Sequence, residues 1–505
     1  MKYFQIALAV IVAAMHGVNL HAAVAQGAAS RPNIVLILPD QMRASAMHCD
    51  GNVDVKTPNI DRLASEGVRF RRTYANTPVC CPARAILLTG TYPHVNGMMA
   101  NDLRLREEQV TVAELLREAD YRTGFVGKWH LDGGPRDPGF VPPGARRQGF
   151  EFWAAYECHH KHFAPTYFRD TPEVIVSRKF EPEASCDFAV EFLKSQPKNQ
   201  PFFLTVQMGP PHDPYGAPDE YMRQYIPERI TAPTNWQPGE ARSTEKATTR
   251  SIGDAMAHAI RPGSLEEIAA YYAAITAIDD QVGRLMKTLA DEGFDENTIV
   301  LFTSDHGDML NSHGLRRKRK PYDESARVPG IVRWPAGAAR GRIVDTLFSH
   351  VDVAPTLLAL AGLPVPSAMQ GSDLSRVVCG ETTDGPEAVL LQIFVPFNPD
   401  QVAKPWRGIV TADHTYARFE DEPWVLFDDR NDPAQLHNLV DDATHAALQR
   451  DLDERLAKLM RKYGDAWSFN ASDLVEEGGR LYKHATFYTI DDYRQWAAAH
   501  PDQDR

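Results

Sequence analysis

Residues 33–41 read NIVLILPDQ: five apolar side chains in a row, Ile34 to Leu38, closed by Pro39, Asp40 and Gln41. A run with no polar alternation suits a strand covered on both faces, as in parallel sheets. The same texture recurs in FFLTVQ (202–207) and TIVLF (298–302), and TGFV precedes Lys128. Helical patterns separate these runs. TVAELLREA opens with Thr111 and places Glu114 three residues later, a capping box ahead of an amphipathic stretch. The segment from Ser264 repeats the device with Glu267, and Gly293 suits its end. Strands alternating with helices predict an α/β fold: a large, mostly parallel sheet sandwiched by helices. Chemically capable residues follow the strand-like runs directly: Asp40, Lys128 and His130, His212, and Asp305. Ligands in such sheets bind beyond the carboxyl ends of the strands, so these segments are expected to converge on one site.

The chain has 505 residues, 43% hydrophobic and 24% charged, enough for a large core and an appended smaller unit. Beyond about residue 385 the texture changes. GIVTADHTYARF and WVLFDD suggest short antiparallel strands, and ALQRDLDERLAKLMRKYG a charged amphipathic helix. The expected division is a signal peptide over 1–25, a main domain over 31–385 and a C-terminal α+β subdomain over 386–505. The signal rests on Lys2, the apolar IALAVIVAAM and small residues at Ala23 and Ala25. It implies a periplasmic or secreted protein. No stretch is long and apolar enough for a stable membrane span, and a net charge of −13 disfavours nucleic acid. Asn470 in NAS fits a glycosylation acceptor in a host that glycosylates. Six scattered cysteines make no disulfide framework whose pairing could be read.

Two of those cysteines are adjacent, in PVCCPARAILLTG (78–90). Cys80 has proline at +2, arginine at +4 and a helix-forming run behind it, with Arg84 about one turn on. A helix start favours an anion. With RPNIVLILPDQ, GKWHL, PPHDPY, TSDHGD, YDESARVPGIVRWP and WRGIV, in that order along the chain, this stretch resembles the sulfatase family. The resemblance implies an alkaline-phosphatase-like fold. It also implies that a formylglycine-forming maturation enzyme converts Cys80 to formylglycine. The hydrated aldehyde offers one hydroxyl to attack sulfur, and a second whose collapse expels sulfate. Arg84 would hold that hydrated group.

The resemblance also implies a divalent metal held by Asp40, Gln41, Asp305 and His306 together with residue 80. The family usually has two adjacent aspartates at the first pair, and Asp-Asn or Asp-His at the second. Gln41 therefore removes one negative charge from the shell. Oxygen ligands favour Ca²⁺, with Mg²⁺ or, given an imidazole, Mn²⁺ as alternatives. Lys128 would bind sulfate oxygens, and His130 would take the proton that releases sulfate. His212 and Lys318 would contact sulfate and the leaving oxygen, although Lys320 competes for that position. Asn101 would contact the substrate group. The remainder of the basic run Arg316–Lys320 reads as a solvated loop. ECHHKHF (157–163) reads as the wall of a sugar pocket, as a site for a stray metal or as an ordinary exposed loop.

The expected activity is hydrolysis of a sulfate monoester on a sulfated carbohydrate. Two alternatives stand beside it: a phosphonate monoester or phosphodiester hydrolase of the same superfamily, and a non-catalytic sulfated-glycan-binding protein. The Lys128–His130 pair favours sulfate esters over the first. The full set of expected catalytic residue types argues against the second.

Overall fold

A computed structural model describes residues 31–133, 139–239, 260–395 and 400–467, together with the backbone of a small hairpin at 476–477 and 480–481. The expected signal peptide and Asn470 lie outside the described residues.

Eight strands form the central sheet: β1 (Asn33–Asp40), β2 (Val68–Phe70), β3 (Arg122–Lys128), β4 (Phe152–Tyr156), β5 (Phe202–Pro211), β6 (Thr298–Phe302), β7 (Ile331–Arg333) and β8 (Arg342–Val344). Their order is β8-β2-β7-β6-β1-β5-β3-β4. All neighbours run parallel except β7, which is antiparallel to β2 and β6.

The uninterrupted apolar reading of β1 has a direct cause. Ile34, Leu36 and Leu38 face one core with α1 (Cys80–Thr89), α2 (Val112–Glu118) and, C-terminal to β8, the helix His350–Leu360. Val35 and Ile37 face a second core with α3 (Glu181–Lys194) and α4 (Leu265–Asp291). Successive side chains point to opposite faces, and both faces are dry, so no polar alternation survives. Each such side chain contributes roughly 1.5–3 kcal/mol on burial.

Local signals act where the sequence put them, with one difference. Thr111 and Glu114 form the reciprocal capping box of α2. At α4, Ser264 accepts from the Glu267 backbone N–H, but the Glu267 carboxylate accepts from Gly263 rather than Ser264. Gly293 follows α4 at φ +69°, where a side chain would be strained.

Four later strands, β9 (Val389–Ile393), β10 (Trp406–Val410), β11 (His414–Phe419) and β12 (Pro423–Asp428), make an antiparallel sheet in sequential order. One of its faces shares a core with Tyr74, Val79 and Leu347, next to the start of α1. The other packs on the helix Ala446–Tyr463 through Leu452 and Leu456. Among the described residues no helix is long and apolar enough to cross a membrane.

Candidate active site

The carboxyl ends of β1, β3, β5 and β6 deliver Asp40, Lys128, His212 and Asp305 to one buried point, where α1 begins with Cys80. Asp40, Cys80, Asp305 and His306 each present a ligand atom, all within 4.8 Å of one another. Cys80 Sγ lies 3.3 Å from His306 Nε2 and 3.1 Å from Lys318 Nζ. Burial opposes ionisation of this thiol, but the ammonium groups of Lys128 and Lys318 pull it well below its usual range.

Arg84 corrects the sequence reading. Its guanidinium has five N–H donors, and all five are engaged. Nε donates to Asp305 Oδ2 at 3.2 Å, and Nη2 to Asp305 Oδ2 at 2.8 Å and Asp40 Oδ2 at 3.1 Å. Nη1 donates to the Lys128 carbonyl at 2.8 Å and to Gln207 Oε1. Nothing remains with which to hold a group on residue 80. Arg84 instead ties the two aspartates together beneath the site, because four strand ends put their acceptors within reach of one planar fork.

Lys128 Nζ donates to Asp40 Oδ2 at 2.6 Å, so its charge sits on an aspartate. Burial and Cys80 would raise the Asp40 pKa; Lys128, His212 and Arg84 outweigh them and keep the carboxylate ionised. Its other oxygen, Oδ1, is buried without a hydrogen-bond partner. His306 has Nδ1 3.0 Å from the Gly307 carbonyl, which assigns the proton to Nδ1 and leaves Nε2 with a lone pair. An orphaned carboxylate oxygen, a bare imidazole nitrogen and a second carboxylate suit a divalent cation.

Gln41 stands at φ +68° after β1. Its Oε1 accepts from Lys318 Nζ at 3.0 Å, and its Nε2 donates to Asp308 Oδ2 at 2.7 Å. Asp308 also accepts from the Tyr215 hydroxyl at 2.5 Å and so fixes which way the amide faces. Lys318 further reaches His212 Nε2 at 3.0 Å, and His212 Nδ1 donates to the Asp213 carbonyl at 2.7 Å.

Lys318, not Lys320, meets Cys80. Lys320 Nζ serves the carbonyls of Arg316, Lys318 and Asp400. The solvated-loop reading of the run fails with it. Lys318, Arg319 and Lys320 are buried, Arg316 pairs with Glu267, and Arg319 pairs with Asp400. Asp400, whose carboxylate pairs with Arg319 and whose carbonyl accepts from Lys320, lies 80 residues beyond Lys320 and could not be seen in a basic stretch.

His130 lies with Nε2 3.1 Å from Asp102 Oδ1. Asn101 Oδ1 accepts from the Cys81 backbone at 3.1 Å and so supports the helix start. The histidine-rich segment is a wall of the site: His160 stacks on His212, ring centres 4.2 Å apart, and His162 is buried against the His212 carbonyl at 3.0 Å. Burial and His212 push His162 down to about 3, so it is neutral. Sequence reasoning missed Asp102, Gln207, Asp213 and Asp308. Only the position of Asp213 beside His212, and of Asp308 three residues after Asp305, offered a signal.

The model of the family described as "Sulfatase" matches residues 32–363, and that of "N-sulphoglucosamine sulphohydrolase, C-terminal" matches 311–462. The ulvan-active sulfatase of Formosa agariphila is 38% identical over 443 residues, 86% of this chain and 82% of that protein. The N-acetylglucosamine-6-O-sulfatase of Bacteroides thetaiotaomicron is 28% identical over 86% of this chain and 87% of its own length. A solved structure in complex with its substrate D-glucosamine-2-N,6-O-disulfate superposes with TM-score 0.75 at 27% identity, covering 86% of this chain and 98% of that one.

Proposed function

The chain belongs to the sulfatase family and is a sulfuric ester hydrolase; from that premise we propose that it hydrolyses a sulfate monoester on a carbohydrate with a formylglycine derived from Cys80 and one divalent metal, Ca²⁺ first among the candidates. The carrying observation is Cys80 itself: a buried residue on a helix start, in contact with Lys318 and His306 and grouped with Asp40 and Asp305. The carbohydrate rests on the relatives, one named for ulvan and one solved with a disulfated glucosamine. The export signal expected over residues 1–25 would put the enzyme outside the cytoplasm, where a bulky glycan is accessible.

Asp40, Asp305, His306 and Gln41 would hold the cation, which when bound supplies a Lewis acid for the sulfate oxygens. A hydrated formylglycine at position 80 would supply two hydroxyls on one carbon, one to attack sulfur and one to release sulfate. Lys318 and Lys128 set two ammonium charges beside residue 80, where the anionic group must enter. The Lys318–His212 contact puts a proton source at the leaving side, with His212 Nδ1 anchored on Asp213 so that Nε2 is the exchanging atom. His130 accepts the proton that accompanies sulfate release.

The test is co-expression with a formylglycine-forming enzyme, peptide mass across Cys80, and kinetics on matched sulfate and phosphate esters. The expected result is loss of sulfur and two hydrogens with gain of one oxygen at Cys80, and faster turnover of the sulfate ester. An unmodified thiol that still turns over substrate would overturn the nucleophile. Faster hydrolysis of the phosphodiester would overturn the substrate class.

A further inference from the structure

Of the two ring nitrogens of His130, one is already committed. Nε2 lies 3.1 Å from Asp102 Oδ1, while Nδ1 is buried without a hydrogen-bond partner. Both residues are all but inaccessible, Asp102 at 5% and His130 at 1% exposed. Both also hold left-handed backbones, φ +65° and +55°, a conformation that Asp and His adopt more readily than most residues.

The two loops are clamped together on either side of this contact. The Asp102 backbone N–H donates to Cys81 Sγ at 3.3 Å, and Asn101 Oδ1 accepts from Cys81. Leu105 bonds the Leu131 carbonyl at 2.9 Å, and Arg104 Nε bonds the Asp132 carbonyl at 3.1 Å. The imidazole is thus held against the start of α1 with the thiols of Cys80, Cys81 and Cys158 around it. Resting on the proposed nucleophile and on His130 as its proton acceptor, we infer that Asp102 is a positioning residue that fixes the proton of His130 on Nε2 and makes Nδ1 the atom that exchanges a proton at residue 80.

The chemistry follows from what a carboxylate can do. It accepts hydrogen bonds and donates none, so Nε2 keeps its proton in both charge states of the ring. Only Nδ1 changes. In sulfate release, the remaining hydroxyl of the sulfated residue 80 gives its proton to Nδ1. The carbon–oxygen bond to sulfate breaks with its electron pair on sulfate, and the aldehyde is restored. The imidazolium so formed faces the Asp102 carboxylate, which favours it. Glu157, the other carboxyl near the ring, is pushed up to about 8 by burial and by Asp132, so it brings little competing charge at neutral pH.

The test uses full-length matured enzyme. Asp102→Ala should lower kcat about 100-fold and lower KM with it, leaving kcat/KM nearly unchanged, because only the step after the covalent intermediate is slowed. The separate readout is mass: quenched during turnover, the Cys80 peptide of Asp102→Ala should carry an added SO₃ in most molecules, and that of the wild type in few. Asp102→Asn keeps the shape but has an N–H that can donate to Nε2 and no charge to face the imidazolium, so it should stay slow and keep the accumulation. Full rate in Asp102→Asn would overturn the inference. Well-folded Asp102→Ala with normal formylglycine content and no added SO₃ would do the same. A second measurement needs no change at Asp102. In ¹⁵N-histidine-labelled protein, with the His130 signals identified by their loss in His130→Gln, Nε2 should carry the proton; a ring protonated on Nδ1 alone would also overturn it. Absence of formylglycine at Cys80 would instead count against the nucleophile, since the ring spectrum reads the Asp102 contact in either form.

Discussion

At the scale of single residues, a motif names a residue type without naming its duty, and Arg84 and Lys318 divide on that point. Arg84 resembles a substrate-side cation but is fully spent on Asp40, Asp305, Gln207 and the Lys128 carbonyl. Arg84→Lys keeps the charge and gives up the fork, leaving parts of two buried carboxylates unpaired. It should cost roughly 3 kcal/mol of stability and most of the activity together. Thermal melting beside kcat checks this; an inactive variant of unchanged stability would mean that Arg84 works on substrate after all. The two lysines should separate in the opposite way. Lys318→Met removes the amine from Cys80, Gln41 and His212 and should lower kcat by about 100-fold or more at nearly unchanged melting. Lys320→Met strands three buried carbonyls and should act mainly on stability. Equal kinetic damage from both would sink the assignment. Asp40, Lys128, His212 and Asp305 were legible in sequence because they follow strand-like runs directly, whereas Gln41, Cys80 and His306 were legible only through the family resemblance. Asp102, Gln207 and Asp308 were not, since each acts through a partner on a distant segment that no local pattern brings near.

At the scale of elements, the long strands were legible and the short ones were not, for a physical reason. β1, β5 and β6 are covered on both faces and so read as continuous apolar runs. β2, β7 and β8 have three residues each, too few for any period to show. β7 is also antiparallel, a direction set by pairing and invisible in composition. Within β3 one residue is fixed by packing rather than chemistry. Gly127, just before Lys128, sits at φ +97°, and a Cβ there would stand 2.0 Å from the Gln207 carbonyl oxygen. Gly127→Ala must therefore part β3 from β5 where Lys128 and Gln207 hold Asp40 and Arg84. The expected cost is about 3 kcal/mol or more, with loss of activity in the fraction that folds. An alanine variant with an unshifted urea midpoint would show that the strands can yield there. The wall built by ECHHKHF was half legible: the density of histidine was plain, but its stacking on His212 depends on β4 lying two strands from β5.

For the whole molecule, burial of titratable groups makes stability depend on pH from two sides. His162 and His350 are pushed down to about 3, chiefly by burial. The unfolded chain takes up protons on these rings below its ordinary value of 6.5, so their share of stability is lost as pH falls from there toward 3. Glu181 acts in the other direction. It is inaccessible beneath β4 and β5, and burial pushes it up to about 7 against the hydrogen bonds from Ser185, Gly209, Tyr156 and Tyr167. Between its ordinary 4.5 and about 7, the folded state holds a proton that the unfolded chain has released. Its contribution is therefore full below 4.5 and lost as pH rises through 7. Glu181→Gln cannot ionise and should remove that alkaline slope. Measured as melting temperature against wild type from about pH 5 to 8, the variant should gain on the native chain as pH rises, by the equivalent of roughly 1–3 kcal/mol across the range. A difference between the two that stays constant over that range would mean that Glu181 is already ionised in the fold, its charge carried by the four donors around it.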